Sequence, residues 1–238
     1  MMGNPYTAGY SVRSRFSSTA TTMTKQLELQ RPRLLTEVVG ERIREAIVKG
    51  DLQLGEQVSE AQLAALMGVS KTPVREALVR LQGQGLVQIH PQRGTFVFRL
   101  SPEEVSHLCR FRVMVETEAL RAAMASERAR LIKGFRQCVK EMKGAEAAQD
   151  LPALARIDMA FHWNMFEACP SQYVVSAYEL LRSQLTALRY RSPITNAVKS
   201  HQVLVDAVGD GDVEAACALL TEHILDNEPR YRAACELG

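Results

Sequence analysis

From Leu34 to Arg99, apolar positions recur mostly in helical steps of three and four, then briefly in steps of two. From Leu34 to Lys49, the residues Leu35, Val39, Ile43 and Ile47 make one stripe, and Gly50 fits a helix stop. Asp51 to Gln57, with Gly55 inside it, reads as a connector. Ser59-Glu60-Ala61-Gln62 has the form of a capping box that opens a second helix, with Leu63, Leu66 and Met67 as its core face. Gly68 breaks that helix, Val69 buries in the turn, and Ser70 is placed to cap a third helix with Pro73 in its first turn. Val74, Ala77, Leu78 and Leu81 give this helix its apolar face. After the exit at Gln82 to Gly85, Leu86–His90 and Thr95–Arg99 read as short strands joined by the turn Pro91-Gln92-Arg93-Gly94.

Helix, tight turn, helix and hairpin form a winged helix-turn-helix pattern. Beyond it the strand signal stops. Ser101 as cap and Pro102 in the first turn open a helical region. Helices are predicted over 102–126, 128–148, 151–168, 171–191, 194–208 and 212–234. Pro152, Pro170, Pro193 and Gly209-Asp210-Gly211 punctuate them, and Asp212 caps the last. The expected fold is mainly α: a winged head at 31–100 and an all-α bundle at 101–238. Residues 1–30, rich in Ser, Thr, Gly and Arg, are expected to be a disordered tail.

The 238 residues carry a formal net charge of only +2, so any affinity for nucleic acid must be local. Five cysteines, widely spread and without a C-x-x-C, fit reduced thiols in a cytoplasmic protein. No run is apolar and long enough to suggest a membrane span. Local chemistry concentrates at the third helix. Ser70, Lys71, Thr72 and Arg75 lie off its apolar face at the N-terminal end. Donors crowded there suit insertion into a DNA major groove, where Arg75 can fork onto guanine. Arg93 and Gly94, at the tip of the hairpin, are placed to meet a phosphate chain or the minor groove. An amphipathic surface helix with solvated charges gives the same pattern.

In the helical region Asp158 and His162 are four apart and share a face. His201 and His223 each border an apolar face of a later helix. Two readings stay open on spacing alone. These histidines either pack in the core against backbone carbonyls, or converge with Asp158 as ligands for a divalent ion such as zinc, nickel or manganese.

The segments I-R-E-A-I-V-K-G-D-L-Q-L-G-E-Q-V-S-E (43–60), L-A-A-L-M-G-V-S-K-T-P-V-R-E-A-L (63–78) and G-L-V-Q-I-H-P-Q-R-G-T-F-V (85–97) resemble the DNA-binding domain of GntR-family bacterial transcription regulators. Residues 102–234 are similar to the ligand-sensing (FCD) domain of the FadR subgroup, in its shorter, VanR-like six-helix form. That resemblance implies a cytoplasmic homodimer, more often a repressor than an activator, that binds double-stranded operator DNA and no membrane. It implies metal ligation by Asp158, His162, His201 and His223. It also implies an effector carboxylate held by Arg112, which stands in F-R-V-M-V-E. A salt bridge from Arg112 to Glu116 is the alternative use of that side chain. Departures are Lys71 where Arg is usual, Ala61 where many members have Arg, Ser200 where Glu often precedes the histidine, and Pro170-Ser171-Gln172 in place of a Gly-Asn turn. Two rivals follow from the same residues: a metal-dependent hydrolase or lyase fused to a DNA-binding head, or a regulator whose metal is purely structural.

Overall fold

The computed structural model describes residues 34–192, 194 and 196–236; the predicted tail at 1–30 lies outside them. Helix α1 (Leu35–Lys49) buries Val39, Ile43 and Ile47, while Leu35, its first residue, is exposed. It packs on α3 (Lys71–Gly83), which buries Val74, Ala77, Leu78 and Leu81 as its spacing predicts. Between them α2 (Glu60–Met67) is capped by Ser59, whose hydroxyl accepts from the Gln62 N–H. It ends at Gly68, whose φ of 65° lies in the left-handed region. The α2 core face differs from the predicted one. Leu63 and Ala64 are buried, Met67 is half-buried, and Leu66 is 84% exposed. Two turns of helix offer only a narrow stripe to α3, and Leu66 falls outside it.

The wing is a three-stranded antiparallel sheet in the order β1-β3-β2, comprising β1 (Gln57–Val58), β2 (Val87–His90) and β3 (Gly94–Val97). The stretch read as a connector thus ends in a strand, with Gln57 opposite Phe96 and Val58 opposite Thr95. A two-residue strand carries no alternation by which a sequence could reveal it. Gly94, with φ of 108°, closes the β2–β3 turn, and a Cβ there would sit 2.7 Å from Gln57 Nε2.

The remaining helices are α4 (Pro102–Ser126), α5 (Arg128–Ala147), α6 (Leu151–Glu167), α7 (Gln172–Arg191), α8 (Ala197–Asp210), α9 (Val213–Leu225) and α10 (Glu228–Glu236). Helix α4 opens with a complete capping box between Ser101 and Glu104. The run predicted at 212–234 is two helices. The signal was Asn227-Glu228-Pro229: Asn227 accepts from the Tyr231 N–H at the start of α10, and Pro229 belongs in a first turn. Helix α6 lies against α5, α4 and α7, and α8 lies against α5 and α9, which brings α4, α6, α8 and α9 around one interior. Head and bundle meet along α7. Arg191 donates to the carbonyls of Ile47 and Val48 at the C-terminal end of α1 and of Leu52 just beyond it, and Gln184 donates to Gly85 O.

Candidate metal centre

Asp158 and His162 lie one turn apart on α6, His201 on α8 and His223 on α9. One ligand atom from each, four in all, lie within 4.8 Å of one another. Asp158, His162 and His201 are buried; His223 is half-buried and lines a groove of about 350 Å3 between α8 and α9, with Lys199, Ser200, Glu222 and Asp226. Phe161 packs edge-on against His201 at 4.6 Å between centroids and stacks on Phe135 at 3.9 Å, so aromatic rings hold the imidazoles in place.

The hydrogen bonds select one tautomer for two of the rings. His162 Nδ1 donates to Glu116 Oε2 at 2.6 Å, and His201 Nδ1 donates to Ala197 O at 2.7 Å. Both Nε2 atoms are therefore left as lone pairs, and both point into the cluster. His201 Nε2 stands 2.9 Å and His162 Nε2 3.8 Å from Asp158 Oδ1, close enough for one cation to be shared among the three. Among the described residues Asp158 Oδ1 and the Nε2 atoms of His162, His201 and His223 are buried and make no hydrogen bond. Buried polar atoms are costly to leave unmatched, so four at one point are an observation in favour of a ligand. Three imidazoles and a carboxylate form a donor set that fits a borderline divalent ion.

Around the cluster stands a shell that spacing did not reveal. Glu116, on α4, bridges His162 to Arg112, whose Nε lies 2.8 Å from Glu116 Oε1. The alternative partner for Arg112 is thus real, and the same carboxylate also orients a candidate ligand. Arg189 on α7 pairs with Asp158. Arg189 follows Leu185, Ala187 and Leu188, all buried, and its position near a helix end makes it look like an ordinary basic last-turn residue. Burial penalises the charges of both carboxylates. The Arg189 guanidinium nevertheless holds Asp158 well below the usual carboxylate range, and Arg112 with His162 does the same for Glu116. Burial pushes the His162 imidazole down to about 4 and that of His223 down as well, which keeps both neutral and able to ligate.

Ser200, where a carboxylate was the expected neighbour of the α8 histidine, donates to Ala197 O. A backbone carbonyl, not an acidic side chain, therefore orients His201.

On the head, Ser70, Lys71, Thr72, Arg75, Arg93 and Gly94 are all exposed. Ser70 has the extended backbone of a cap, but its hydroxyl makes no capping bond. Arg75 is held by Glu60 at the start of α2, through Nε at 3.2 and 3.1 Å and Nη2 at 2.9 Å. The hydrogen bond and charge of Glu60 raise the Arg75 pKa above its ordinary value.

Residues 35–97 match the family described as bacterial regulatory proteins, gntR family, and residues 107–226 match the FCD domain. The chain is 32% identical over 202 residues to a Paenarthrobacter nicotinovorans protein named "Probable D-xylose utilization operon transcriptional repressor", covering 81% of this chain and 88% of that one. The chain belongs to the gntR family. Another relative is the HTH-type transcriptional repressor RspR of Escherichia coli, 25% identical over 207 residues, with 85% of this chain and 91% of that one covered. The solved structure of E. coli McbR/YncC superposes with a TM-score of 0.70 at 18% identity, covering 85% of this chain and 99% of that one, which shows a shared fold. As a gntR-family protein the chain is a DNA-binding transcription regulator, and the relatives it matches are regulators rather than enzymes. Among the described residues no helix is long and apolar enough to cross a membrane.

Proposed function

We propose that this gntR-family regulator is a metal-containing repressor whose operator affinity is set by a small organic acid. The observation that carries the reading is the set of four buried, unpartnered donor atoms on Asp158, His162, His201 and His223. A divalent ion there would supply an electrophilic seat for a carboxylate oxygen. Arg112, fully buried with its Nη2 unpartnered among the described residues, supplies a donor for the same anion. Residues 101–238 form the sensing and dimerising part and residues 31–100 the DNA-binding part. A homodimer places two heads on a near-palindromic operator. Arg75 and Lys71 face base edges, while Ser70, Thr72, Arg93 and Gly94 face the phosphate chain. The repressor sign follows the printed names of the relatives given above.

An effector shifts such an equilibrium only by its differential affinity for two states, and the shift is reciprocal. The test is operator binding by fluorescence anisotropy across a panel of organic acids, with metal-loaded protein. An acid that senses through this site weakens operator binding, and operator weakens binding of that acid by the same factor. Arg112→Lys keeps a positive charge beside Glu116 but removes the fork, and is expected to blunt the response. Equal acid affinity with and without operator would contradict the sensing role and leave a structural metal as the better account.

A further inference from the structure

Among the described residues the charges buried in the bundle are Arg112, Arg189, Glu116 and Asp158, each no more than 1% exposed. Two guanidiniums and two carboxylates cancel, and imidazoles that ligate a metal are neutral. The chain's own interior charge is therefore already balanced without any ion. A divalent cation seated on the four donors would leave that interior two charges positive, a costly state in a low-dielectric core. A monocarboxylate would remove half of the excess; a dianion would remove all of it.

The donors for a second anionic group are also in place. Among the described residues Arg189 Nη2, Arg112 Nη2 and the Tyr178 hydroxyl are buried and make no hydrogen bond. Both arginines connect to the donor cluster, and Tyr178 lies beside Arg189. Arg112 reaches it through Glu116 and His162, and Arg189 reaches it directly at Asp158. Tyr178 shares α7 with Arg189, and its ring is fixed against Phe166 at 4.1 Å between centroids. Its hydroxyl is thus a positioned donor rather than a mobile one.

From this we infer that the effector is a dianion, a short dicarboxylate, and that Arg189 is the residue that selects it over a monocarboxylate of the same size. The inference rests on the sensing role proposed above and narrows it to one ligand class. One carboxylate occupies the seat that the metal and Arg112 provide. The other is met by Arg189 Nη2 and the Tyr178 hydroxyl.

The test is isothermal titration of zinc-loaded protein with L-malate and with 2-hydroxybutyrate. These acids share the hydroxy-carboxylate end and differ by a distal carboxylate in place of a methyl group. In the wild type L-malate is expected to bind at least about tenfold tighter. Arg189→Gln lowers the interior charge by one and should bring that ratio down to about one, whereas Arg189→Lys, which keeps the charge, should retain a clear preference for L-malate. Zinc content measured on each variant shows whether Asp158 still ligates. A wild-type ratio near one overturns the inference while leaving acid sensing intact, and so does a ratio that Arg189→Gln does not change. If neither these nor any other organic acid binds, the sensing role itself fails and this inference fails with it.

Discussion

Two of the molecule's arginine–glutamate pairs stand in opposite settings. Arg112 and Glu116 sit one turn apart on α4, both with side chains 0% exposed, and Glu116 also holds His162. Arg75 and Glu60 join α3 to α2 on the surface of the head, with side chains 66% and 31% exposed. The contact chemistry is the same, but the consequences differ. In the bundle neither partner can turn to water, so each is fixed by the other and their geometry passes to the candidate metal ligands. On the head water competes for both groups, so Arg75 can leave Glu60 for a guanine edge at little cost. The proposed sensing centre calls for the first kind of pair, and the proposed DNA-reading role of α3 for the second.

The largest effect that would sharpen this contrast is expected from Glu116→Ala. It strands Arg112 in the interior and removes the acceptor of His162 Nδ1, and should destabilise the bundle by about 3–5 kcal/mol, read from the denaturant midpoint. A shift as small as that of a surface mutant would break the comparison. Next, Arg75→Ala should weaken operator binding by roughly ten- to a hundredfold while non-specific DNA is affected far less. An equal loss on both would mean that Arg75 meets phosphate instead. Arg191→Ala lies at the junction of the two regions, where it removes the donors to the α1 carbonyls. About 1–3 kcal/mol of stability should be lost, with metal content unchanged. The smallest effect is expected from Glu60→Ala, which should move the melting temperature by no more than about 2 °C and leave operator affinity level or slightly improved.

The sequence was most legible where burial has a period. The stripes of α1 and α3 and most helix limits follow from apolar spacing, caps and prolines, because each of these acts locally. It was least legible where the cause is tertiary. β1 exists only because β3 offers Gln57 and Val58 an edge to pair with. Leu66 looks like a core residue in a helix too short to bury it. Within the bundle, spacing placed Asp158 and His162 on one face but left the convergence of His201 and His223 open, since three separate helices must meet before it holds. Glu116 was visible only as a neighbour of Arg112, and Arg189 resembled any basic residue near a helix end. Their roles depend on which interior their helices face, and the pattern of a single helix does not specify that.

The central claim is that Asp158, His162, His201 and His223 hold one divalent ion. Its most direct test is elemental analysis of the purified protein beside a His201→Ala variant, each before and after reconstitution. The account predicts about one transition-metal ion per chain in the wild type, with none retained by the variant. A wild type that stays metal-free after reconstitution, or a variant that keeps a full complement, would contradict it and return these histidines to a packing role.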